Sequence, residues 1–77
     1  MLSLGRMADR PPRRHFAVAL TRVKGGWRVE HVSEHPSRGE AEKQSLTLLG
    51  RYGDAEAITL ERDLAEGEVL KAADVGR

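Results

Sequence analysis

The stretch His15-Phe-Ala-Val-Ala-Leu-Thr-Arg-Val-Lys-Gly-Gly-Trp-Arg-Val-Glu-His-Val-Ser33 decides the fold. Its first half alternates Phe16, Val18 and Leu20 against Ala17, Ala19 and Thr21. Its second half alternates Trp27, Val29 and His31 against Arg28, Glu30 and Val32. A period of two over such lengths predicts two half-buried strands. Between them Lys24-Gly25-Gly26 offers the positive φ angles of a tight turn, which glycine adopts without steric cost. The segment therefore reads as a β-hairpin with two unlike faces. Phe16, Val18, Leu20, Trp27, Val29 and His31 fall on the large apolar one, and the other carries small and polar side chains.

Downstream of the hairpin, Pro36-Ser37-Arg38-Gly39-Glu40 has the form of a capping box, with Ser37 as N-cap and Glu40 reaching back to it. Ala41, Leu48, Leu49 and Tyr52, with Ser45 between, follow one helical face, and Gly53 stands where a left-handed C-cap belongs. A helix over Arg38 to Tyr52 is expected. Glu40 and Glu42 near its start and Arg51 near its end suit the helix dipole.

After Gly53-Asp54, Ala57-Ile58-Thr59-Leu60-Glu61 alternates again, and β-branched Ile58 and Thr59 favour a strand over the competing helix from Asp54 to Leu64. A lone hairpin is marginal without a third strand. Asp63 to Gly67 reads as a turn, and Glu68 to Leu70 as a short fourth strand. The expected fold is α+β, in the order β-β-α-β(-β), with a small, mainly antiparallel sheet. Its helix is expected on the Phe16, Trp27, Val29, Ile58 and Leu60 face. The opposite face, with Ala17, Ala19, Thr21, Val23, Arg28, Glu30, Val32, Thr59 and Glu61, is expected bare, open to water or to a second copy.

The whole chain has 77 residues and no cysteine. That is room for one domain, which at this size buries only about 60 % of the surface its unfolded form exposes. Disulfides and thiolate metal cages are excluded. Residues 1–14, with the run Arg10-Pro-Pro-Arg-Arg14, read as a basic N-terminal tail. Residues 15–72 read as the domain and 73–77 as a C-terminal tail, and Met7 is a second plausible start. No apolar run approaches the roughly 18 residues of a membrane span, and the start lacks the pattern of a secretory signal, so a cytoplasmic location is the expectation.

The net charge of +1 conceals an asymmetry: seven basic and two acidic residues lie between Met1 and Ser33, against six basic and ten acidic from Glu34 onward. Arg13, Arg14, Arg22, Lys24 and Arg28 thus mark a candidate surface for nucleic acid or another polyanion. The alternative is a protein-interaction or self-associating module that uses an edge strand or the bare sheet face, with a homodimer as one form.

Candidate chemistry is sparse. His31 and His35 have the spacing of a helical metal pair but fall in a strand and the loop after it, so neither metal nor cofactor is expected. Ser33, Ser37 and Ser45 lack a nucleophile-elbow sequence. The carboxylates are scattered over turns and an exposed helix face, with none in an apolar stretch to separate two pKa values. Gly25-Gly26 is too short to cradle phosphate and leads into a strand. No enzymatic activity is expected. Trp27, in register with Phe16, Leu20 and Val29, is expected at the centre of the core in preference to an exposed stacking platform.

The order of Phe16-Ala-Val18, Gly25-Gly-Trp-Arg-Val29, Ser37 with Glu40-Ala41, and Ile58 through Gly67 resembles a small bacterial domain family of unknown function. That family combines a first strand, a Gly-Gly-Trp hairpin, a capped helix and a strand ending in an Asp and Gly turn. The resemblance spans about Phe16 to Leu70 and implies the fold, with no activity attached. Ile58 through Val75 also looks like the opening of an antifreeze-like domain. The chain reaches only Arg77, before such a barrel closes its sheet, so this string is read as a shared turn.

Overall fold

The computed structural model describes residues 12–77. Four strands form one antiparallel sheet: β1 (Arg14–Val23), β2 (Gly26–His35), β3 (Ala55–Leu60) and β4 (Val69–Leu70), in the spatial order β3-β1-β2-β4. Helix α1 (Arg38–Tyr52) connects β2 to β3, and the short helix α2 (Ala72–Val75) follows β4. The expected α+β class and element order are found. No helix among the described residues is long and apolar enough to cross a membrane.

Local chemistry places these elements. Val23 pairs with Gly26, so Lys24 and Gly25 form the turn, and Gly25 supplies the left-handed backbone at φ 89°. At the start of α1 the Ser37 hydroxyl accepts a hydrogen bond from the Glu40 amide at 3.2 Å. At its end Gly53, at φ 85°, donates its amide to the Leu49 carbonyl. The reciprocal carboxylate bond of a capping box occurs at α2, where Asp74 accepts from the Lys71 amide at 3.0 Å.

The sidedness of the sheet departs from simple alternation. The β1–β2 register jumps from Ala19↔His31 to Leu20↔Val29, which leaves Glu30 as a β-bulge. An extra residue in one strand moves everything beyond it to the other face. Trp27 and Val29 keep the company of Phe16, Val18 and Leu20, joined by Val32. His31, expected beside them, lies on the opposite face and stacks on Tyr52 of α1, with ring centroids 6.1 Å apart. Glu30 is held by the guanidinium of Arg28 at 2.7 and 2.9 Å.

Helix α1 covers the alanine face of the sheet instead of the large apolar one. Ala17, Ala19 and Leu48 form one buried cluster, with Ala55 against it, and Ala41 and Ala57 are also buried. The physical reason is size. The buried residues of α1 are Ala41 and Leu48, and so narrow a stripe fits against methyl groups better than over a surface of Phe, Val and Ile. The face expected to be bare is therefore occupied.

The large face is closed by the segment after β3. Leu64, Leu70 and Val75 pack on Phe16, Val18, Leu20, Val29 and Ile58 to form the main core. Residues 73–77, expected as a tail, contribute buried Val75 and an Arg77 that pairs with Asp54 and Glu56. Most of the expected N-terminal tail, residues 1–11, lies outside the described residues, and Arg14 already belongs to β1. Trp27 sits at the rim of the core, half-buried, with the guanidinium carbons of Arg22 and Arg77 at 4.8 and 5.2 Å from its ring centroid. The centre expected for it belongs to Phe16, Val18, Val29 and Leu70.

Arg13 and Arg14 pair with Glu61, Glu34 and Asp63 across the two halves of the chain, while the other arginine–carboxylate pairs join residues of the same half. Bonds from Arg14 hold the Glu34 carboxyl below its ordinary range, Arg28 does so for Glu30, and Arg77 for Asp54. Glu68 is lowered first by the Ala65 amide and then by Arg62. A carboxyl whose pKa is depressed on folding contributes stability above its unfolded value, and that contribution disappears as pH falls through the folded value. The thermal midpoint is accordingly expected to decline as pH drops from about 4 toward about 2. A midpoint that is level across that window in pH-dependent melts would show these exposed pairs to be inert, as many are.

Candidate functional site

The sequence-derived basic residues do not converge. Arg14 and Arg22 stand at opposite ends of β1, about 26 Å apart at the ordinary rise of a strand. Arg14 binds Glu34 through two nitrogens at 2.7 and 2.9 Å and meets Asp63 at 2.8 Å. Arg13 lies 4.0 Å from Glu61, and Arg28 is taken up by Glu30. Arg22 and Lys24 remain together at the hairpin turn, outside the ion pairs found among the described residues. Of the five, Arg13 and Arg14 are thus met by carboxylates from later in the chain and Arg28 by one within the hairpin.

The histidines serve separate neighbours. The Nδ1 of His15 is 3.0 Å from the Thr59 hydroxyl, and the Nε2 of His35 is 2.8 Å from the Ser33 hydroxyl. His31 Nδ1 is 3.8 Å from the Glu66 carboxylate. Among the described residues, no three His, Asp or Glu side chains converge in a way that could hold a metal ion.

What the fold does build is a groove along one edge of the sheet. The strand order leaves β3 and β4 at the two edges. β4 has only two residues, and its Leu70 carbonyl lies hard against Gly26. β3 has six residues and pairs with β1 on one side only. Leu20 donates its amide to the Asp54 carbonyl at 3.0 Å, so the backbone of Asp54 faces β1. By the two-residue period of a strand, Glu56, Ile58 and Leu60 face the same way. Ala55, Ala57 and Thr59 then turn their backbone groups outward, away from the sheet.

Two walls flank that outward edge. Arg38, Glu42, Ser45 and Leu46 of α1 line a cleft of about 360 Å³ over Ala55 to Ala57. Ala73 to Gly76 line a second, of about 160 Å³, over Ala57 to Thr59. Arg38 and Ala57 belong to both, so the two clefts run on from one another along β3. Leu46 is 69 % exposed on the wall and adds an apolar side chain to it.

Arg38 lies across the middle of the groove. Its guanidinium donates to the Ala57 carbonyl and the Thr59 hydroxyl, both at 3.4 Å, and to the Glu42 carboxylate at 3.2 Å. A charged side chain laid over an edge is a common guard against unwanted strand pairing. Here its bonds to β3 are long, and hence readily exchanged.

Sequence reasoning named edge strands in general and missed Arg38, Glu42 and Leu46. The alternation of Ala57 to Glu61 marks a strand, but its position at an edge depends on pairing with β1, some forty residues away in the chain. Family models, curated proteins and solved structures give no match to this chain.

Proposed function

We propose that this domain is a non-enzymatic protein-interaction module that accepts an extended segment of polypeptide along β3. The observation that carries the reading is the outward-facing backbone of Ala55, Ala57 and Thr59 at the floor of a walled groove. Added strands bind through main-chain hydrogen bonds, while flanking pockets choose alternate side chains. The groove offers both: a strand edge for the backbone, and walls with Leu46, Arg38 and Glu42 for side chains of mixed character.

Ten-residue peptides selected from a random library against the full chain test this reading. Binders are expected to shift the amide resonances of Ala57 and Thr59 and to lose affinity for Ala57→Pro. That substitution removes an outward donor and leaves the β1 ladder intact, as proline at a sheet edge does. Leu46→Arg provides a second variant, on an exposed side chain that the fold does not need. Peptides that leave those amides unmoved, or bind both variants as well as the parent, would overturn the reading.

A second reading, polyanion binding, is favoured by Arg22 and Lys24 at the turn. It requires saturable binding of random DNA or RNA that weakens as salt rises. The peptide-groove reading requires none.

A further inference from the structure

We infer that the segment best suited to this groove is β3 of a second copy, so that two chains join into a continuous eight-stranded sheet about a two-fold axis at Ala57. The inference rests on the groove reading above and adds the partner. In antiparallel pairing, Ala57 faces its own counterpart and Thr59 faces Ala55 of the other copy. The side chain at the axis is then the smallest available for close strand approach, and the same two-fold operation satisfies both edges at once.

The walls are self-complementary under that symmetry. Arg38 bonds to Ala57 and Thr59, while Ser45 and Leu46, about two turns further along α1, line the cleft over Ala55 to Ala57. A two-fold at Ala57 reverses this order, which carries Arg38 of one copy toward Glu42 and Leu46 of the other. Each helix rests on both β1 and β3, so its axis lies between them and the two helices would sit about two strand spacings apart, about 10 Å. That matches the 8–10 Å of direct helix packing. The facing sides of the two helices would therefore meet, and Arg38, Glu42 and Leu46 are the side chains that line them toward the groove. Arg38 can leave the Ala57 carbonyl to a partner amide and keep its charge satisfied by a Glu42 on either chain. The guard over the edge thereby becomes part of the joint.

Charge exchange tests this directly, on side chains exposed enough to vary without unfolding the chain. The parent is expected to sediment as a concentration-dependent dimer below about 1 mM. Arg38→Glu gathers negative charge across the axis and Glu42→Arg gathers positive charge, so each alone is expected to weaken the dimer about tenfold or more. An equimolar mixture of the two variants is expected to restore it as a heterodimer. A parent that stays monomeric to about 1 mM, single variants that dimerise as tightly as the parent, or a mixture no tighter than its components would each overturn self-pairing. Peptide binding at Ala57 and Thr59 by a monomeric parent would leave the groove reading standing, so the two failures are separable.

Discussion

Replacing Phe16 by alanine is expected to remove a third or more of the stability of the domain. Phe16 is 2 % exposed and is among the largest fully buried side chains. It pairs across to Ile58 on β3 and belongs to the cluster that Leu64, Leu70 and Val75 close from above. Truncating a buried phenylalanine to alanine costs about 3–5 kcal/mol, because the lost transfer energy is joined by a cavity that neighbours fill only in part. A domain of the sixty-six described residues has a total stability of about 3–10 kcal/mol. One substitution therefore removes a third to all of it. Far-UV circular dichroism with the fluorescence of Trp27 provides the measurement. A cooperative melt within a few degrees of the parent would show that the cluster collapses around the missing ring, and that this core is looser than its burial implies.

A comparably large loss is expected from Gly26→Ala, at a position with no side chain to lose. Gly26 opens β2 with φ 154°, and a Cβ there would run into the carbonyl oxygen of Leu70. That obstacle is backbone, so it yields only if β4 moves. β4 is held to β2 by the Trp27↔Leu70 and Arg28↔Val69 pairs, and Leu70 is fully buried. Displacing it should cost about as much as emptying one leucine site, about 2–5 kcal/mol. Gly25→Ala is the matched control. Gly25 has a left-handed φ of 89° with open space around it, so the strain there is only about 1–2 kcal/mol. Chemical denaturation should rank Gly26→Ala well below Gly25→Ala. The reverse order would mean that β4 is loosely attached and that the turn, not the strand contact, governs this end of the sheet.

Much of the architecture is legible in the residues. The two alternating runs and the glycines between them give the hairpin, and Ser37 and Gly53 bracket the helix at Arg38–Tyr52 as expected. Which face meets which layer is not legible, for two reasons. Glu30 bulges without a glycine or proline to announce it, so alternation carries His31 onto the wrong face. Leu64, Leu70 and Val75 are too widely spaced to show a period, so the lid over the main core is indistinguishable from a turn and a tail. The charge asymmetry fails as a guide for a related reason. Folding brings the acidic half beside the basic half, as Arg14 with Asp63 shows across almost fifty positions. The groove is the least legible feature, since an edge exists only once the order of strands is known.

The alanines between α1 and the sheet have a consequence for whatever occupies that groove. Ala17, Ala19 and Ala41 set how closely the helix rides on the strands, and the helix carries one of the two walls. In an interior packed as densely as a crystal, one added methyl group at Ala17 has nowhere to go except into the spacing between the layers. The helix would rise or tilt, and Arg38, Glu42 and Leu46 would move with it. The gauge of the binding channel is thus written in side chains that no ligand touches, and selection for a wider or narrower guest can act there without altering a single contact residue.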